Sequence, residues 1–245
     1  MRTTTQDPLA EKYYDISPYA WCANNPVNLV DPDGRRIKIV VGEEEEEYVL
    51  NSQYTGKNEY IDLMYNALNE IYSIEMGKTV LDPLISSDDV YTILNKKSSK
   101  EETQSYTAKT KTMNITENGS SNKKLINAVN AIAHESFHAY QLYKSSSINT
   151  IHSEVEAYIY MDIINYRLFD IFPISLYSRN HPNASYDSLL HSIYYDPSLD
   201  IQKFNILVNQ FKSFSKENEN GTYINLNLKT SNTKYLLTHF YPLIP

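Results

Sequence analysis

The chain has 245 residues, 41% hydrophobic and 21% charged, the balance of an ordinary soluble globular protein with room for one or two domains. Its net charge of −8 argues against a broad basic surface for nucleic acid or for an anionic membrane. One cysteine, Cys22, excludes an internal disulfide framework and a cysteine-rich zinc cluster, and no apolar run approaches the ~18 residues of a membrane span.

Residues 1–36 are dense in turn formers: Asp7-Pro8, Ser17-Pro18, Asn24-Asn25-Pro26 and Asp31-Pro32-Asp33-Gly34. Each pins or frees the backbone at a point where a helix needs regular torsions, so no long helix fits here. Residues 1–15 also lack the apolar core of a secretory signal. The stretch DPLAEKYYDISPYAWCANNPVNLVDPDG, residues 7–34, resembles the end of the core of Rhs/YD-repeat proteins, whose shell closes on P-x-x-x-x-D-P-x-G, here Pro26 to Gly34. That resemblance implies a boundary after residue 36, with 37–245 a variable toxin domain carried inside a delivery protein. It further implies release from a bacterial producer into a target cell through a specialised secretion system, and a cognate immunity protein beside the Rhs shell.

Regular structure starts at Ile37 to Val41, an apolar strand. The acidic run 43–47 reads as a solvated turn. Tyr60, Ile61, Met64, Tyr65, Leu68, Ile71 and Tyr72 recur at helical spacing, which predicts a helix over 60–75 that Gly77 stops. Two short apolar runs flank Asp82-Pro83, then 90–94 forms a strand. The Thr-rich stretch 103–115 suits an edge strand, and 117–122 a loop.

A long helix, capped by Ser121 or Asn122, is expected to run to Tyr143 and bury Leu125, Ile126, Val129, Ile132, Ala133 and Phe137. A second is expected over 152–169 with Ser153 as N-cap. Breaks at Pro173 and 180–183, helices over 186–194 and 198–215, and strands over 222–228 and 235–240 complete the reading. The fold class is α+β, with helices dominating the second half. The 22 tyrosines supply core bulk that keeps a polar tip, rather than a binding platform.

His134-Glu135-Ser136-Phe137-His138 fits H-E-x-x-H on the first long helix. Two histidines four residues apart stand one turn apart on one face, so both imidazoles can reach one Zn2+ ion. Glu135 stands beside that ion, placed to take a proton from water. A catalytic zinc needs a third protein ligand and an open position. Glu154, Glu156 and His152, at the start of the next helix, are all within reach of the pattern.

This arrangement resembles the gluzincin group, in which a Glu on a following helix completes the site. Several such families carry E-x-x-A, and Glu154 with Ala157 matches it, so the resemblance selects Glu154. The order of elements before the motif also looks like zinc-metallopeptidase toxin domains of bacterial effector and Rhs proteins. It implies a zincin-like fold: an active-site helix, a ligand helix and a small sheet. Leu142-Tyr143-Lys144 follow the second His, so the G-x-x-H extension of metzincins is absent. Tyr158, His181 and His191 are candidates to hold an oxyanion, and Asp162 to orient a ligand His.

The expected activity is therefore zinc-dependent hydrolysis of a peptide bond in a target-cell protein. Two alternatives stand beside it. One is a zinc amidase acting on peptidoglycan or another non-protein amide. The other is a non-enzymatic binding domain with a structural zinc.

Overall fold

The computed structural model describes residues 37–95, 104–117, 123–144, 151–169 and 208–209. The Rhs-like segment, both helices placed beyond residue 185 (apart from two of their residues, 208 and 209) and the two tail strands lie outside them, as do Ser121, Asn122, His181 and His191.

A five-stranded mixed sheet carries four helices, an α+β arrangement. Strand β1 is Ile37–Val41 and β2 is Glu44–Glu47, joined antiparallel through a turn in which Gly42 takes φ +63°. Helices α1, Glu59–Tyr72, and α2, Glu75–Ile85, then carry the chain to β3, Tyr91–Leu94, parallel to β1. Strand β4, Ser105–Thr107, turns back antiparallel into β5, Thr112–Asn114, which runs parallel to β3. The order across the sheet is β2-β1-β3-β5-β4. Helix α3, Lys124–Lys144, and helix α4, Ile151–Phe169, follow.

Period-two alternation sets the buried face. Ile37 pairs with Tyr91, Ile39 with Ile93, and Ile93 with Met113, and all five side chains are buried. Helix α1 lays Tyr60, Ile61, Met64, Leu68 and Ile71 into the same core, its first turn closed by Asn58 Oδ1 accepting from the Tyr60 and Ile61 amides. Tyrosine behaves as expected: Tyr60 is buried, yet its hydroxyl donates to the Ile115 carbonyl at 2.7 Å.

Four details differ from the sequence reading. The acidic run is mostly a strand: Glu44–Glu47 pair with β1 while every side chain stays in solvent, and charge at a sheet edge discourages further pairing. The Thr-rich stretch is a hairpin in which β4 is the edge and β5 is interior. Ser153 does not cap α4 but lies within it, fully buried.

The fourth difference is α2, which the sequence reading left as two apolar runs around Asp82-Pro83. Pro83 lies two residues before its end and removes one amide from the ladder, yet the turn continues past it, the Ser86 amide donating to the Asp82 carbonyl at 2.9 Å. Gly77 therefore does not stop α1. It lies in the first turn of α2, where an added Cβ would land on the Ile71 carbonyl. The glycine permits a tight junction between helices. Gly77→Ala is expected to destabilise the fold by about 1–3 kcal/mol in a urea melt, although alanine favours a helix by ~1 kcal/mol. An unchanged or raised midpoint would show that the junction can relax.

Candidate metal centre

Helix α3 packs against α1, α2 and α4, and this surrounding is what the site is built on. From Ala128 to Gln141 every residue except Asn130 and His134 is buried. Such a helix is apolar nearly all round, and its alanines let neighbours approach closely. Phe137 stacks on Tyr160 of α4 with ring centroids 4.7 Å apart, which fixes one helix against the other. Ala157 on α4 is fully buried.

On this frame His134, His138 and Glu154 come together. Each offers one donor atom, and the three lie within 4.8 Å of one another. The two Nε2 atoms are 3.1 Å apart; Glu154 Oε2 is 3.5 Å from His134 Nε2, and Oε1 is 3.4 Å from His138 Nε2. The imidazoles stand nearly perpendicular, at 84°. Two histidine nitrogens and a carboxylate aimed at one point are held there by a proton on an imidazole or, in its place, by a metal ion. Tetrahedral zinc with bonds of about 2.0–2.1 Å spaces its donors by about 3.3 Å, so the donor set and its spacing fit that ion.

The charges agree. Burial works against charging His138, but the Glu154 carboxylate overcomes it and pushes the imidazole up to about 9. Burial raises Glu154 while His138 and His134 pull the other way and win, leaving its carboxyl well below the usual range. Glu135 is buried, and burial pushes its carboxyl up although both imidazoles oppose the shift.

Without metal, His138 thus carries a proton below about pH 9, and a metal must displace it. Zinc affinity is expected to strengthen about tenfold per pH unit between about pH 6 and 8. Competition against a chromophoric chelator measures this, and a flat profile would mean that zinc displaces no proton from His138 in this range.

The remaining sequence candidates fall in different places. Glu156 is fully buried but outside the donor cluster, its Oε2 accepting from Gln141 Nε2 at 3.0 Å. His152 lies in the first turn of α4, and its side chain is not among those described. Tyr158 sits with its ring 4.5 Å from that of His134. Asp162 is buried on α4, and the partner at His138 Nδ1 is Gln141 instead. The sequence reading missed Gln141. Its signal was its place three residues after His138, on the same helix face.

No protein-family model matches the chain, and no curated protein or solved structure matches it significantly.

Proposed function

We propose that residues 37–245 are a zincin-like, zinc-dependent peptidase domain, delivered as the toxin of an Rhs-type protein and neutralised in the producer by an immunity protein. The observation that carries the reading is the convergence of His134, His138 and Glu154 beside a buried glutamate, Glu135. Among the described residues the cluster has three protein donors, which suits a catalytic zinc rather than a four-ligand structural one.

Zinc held by these three residues supplies a Lewis acid that polarises a substrate carbonyl and lowers the pKa of water. Glu135 takes a proton from the attacking water as its oxygen bonds to the carbonyl carbon. It then gives that proton to the amide nitrogen as the C–N bond breaks. Burial suits the task, because a carboxyl raised towards neutrality both accepts and returns a proton readily. Tyr158, whose ring lies 4.5 Å from that of His134, is the candidate for meeting the developing oxyanion.

The test is growth of a susceptible cell expressing residues 37–245, wild type against Glu135→Ala. Arrest by the wild type alone is expected. Equal arrest by both would end the hydrolase reading and leave a binding domain.

A further inference from the structure

Gln141 is fully buried on α3 and belongs neither to the donor cluster nor to the apolar core. Its amide nitrogen lies 3.0 Å from the Ser153 carbonyl and 3.0 Å from Glu156 Oε2, both on α4. A backbone carbonyl can only accept a hydrogen bond, so the NH2 end of the amide must face α4. Its oxygen then faces His138 Nδ1, at 2.9 Å. An amide oxygen cannot donate, so the proton of a neutral His138 is held at Nδ1. The lone pair is left on Nε2, the atom 3.1 Å from His134 Nε2 and 3.4 Å from Glu154 Oε1.

We propose that Gln141 is the positioning residue of the metal site, anchored by Ser153 and Glu156 and fixing His138 in the tautomer that offers Nε2. The inference rests on the metal reading of the His134, His138 and Glu154 cluster. Two observations carry it beyond a packing role. Burying an amide and a carboxylate together is costly, and a leucine at 141 would fill similar space without either. The network also touches both sides of the site: Gln141 holds the ring of one donor residue and the backbone next to another, since Ser153 precedes Glu154. His134 has no such support, its Nδ1 being buried without a hydrogen-bond partner among the described residues. Among the described residues, side-chain hydrogen bonding to an outer ring nitrogen of the pair is therefore supplied by Gln141, at His138.

The experiment is a zinc competition titration on the full chain as wild type, His138→Ala, Gln141→Met and the exchange Gln141→Glu with Glu156→Gln. Gln141→Met is expected to bind zinc about 10–100-fold more weakly, the usual cost of losing an outer partner of a ligand. The exchange should bind zinc more tightly than Gln141→Met, because a carboxylate at 141 accepts from Nδ1 and an amide at 156 donates to that carboxylate, but less tightly than wild type, because the Ser153 carbonyl then faces an acceptor. A role in packing alone predicts no recovery. Unchanged affinity in Gln141→Met, or a cooperatively melting exchange variant as weak as Gln141→Met, would overturn the proposal. If Gln141→Met does not fold, the exchange variant alone decides, by keeping zinc or losing it. Zinc binding by the wild type that His138→Ala leaves untouched would instead sink the metal reading itself, which separates the two failures.

Discussion

Glu135→Gln is expected to leave zinc content and melting temperature near those of the wild type while toxicity falls by about 10²–10⁴, the usual contribution of a general base. The substitution keeps size and shape in a helix where the residue is buried and its neighbours are closely packed. What it removes is proton affinity. Glu135 is not one of the three convergent donors, so the metal site has no reason to change with it. A binding domain predicts the opposite result, because a target surface hardly notices an isosteric change at a buried position. Growth curves of cells expressing each protein, with zinc measured on the purified chains, decide between them. Full toxicity in a zinc-loaded Glu135→Gln protein would exclude hydrolysis through this residue.

Where patterns are local, the sequence was a good guide. Ile37–Val41 follows from an apolar stretch, α1 from seven residues at helical spacing, and α3 and α4 from long runs without Pro or Gly. The two histidines meet because four residues are about one helical turn, a fact independent of tertiary structure. What failed depends on partners distant in the chain. Gly77 reads as a stop until Ile71 is seen beneath it, and the two apolar runs around Asp82-Pro83 do not by themselves announce one helix running through the proline. Ser153 reads as a cap because caps and buried serines share one chemistry. The E-x-x-A resemblance pointed to Glu154, but the reason that it rather than Glu156 joins the cluster, the rotation of α4 against α3, is contained in no single-helix pattern.

That rotation makes the final expectation specific. Glu154→Ala removes a carboxylate whose Oε2 lies 3.5 Å from His134 Nε2 and whose Oε1 lies 3.4 Å from His138 Nε2, so zinc affinity should fall by well over the roughly 100-fold upper cost of losing an outer partner. Hydrolytic activity should disappear with it. Glu156→Ala removes no donor of the cluster but takes away an acceptor of Gln141, so zinc should remain bound with affinity reduced about 10–100-fold. The same change leaves a cavity beside a buried amide with one hydrogen bond fewer, and should cost about 1–3 kcal/mol of stability in the metal-free protein. The two variants thus separate by phenotype as well as by size: one stable and empty of zinc, the other softer and loaded. Elemental analysis after dialysis, with a urea melt of each metal-free protein, reads both. The reverse pattern, zinc kept in Glu154→Ala and lost in Glu156→Ala, would move the third ligand two residues along α4. Zinc kept in both but lost in His152→Ala would make the site one of three imidazoles.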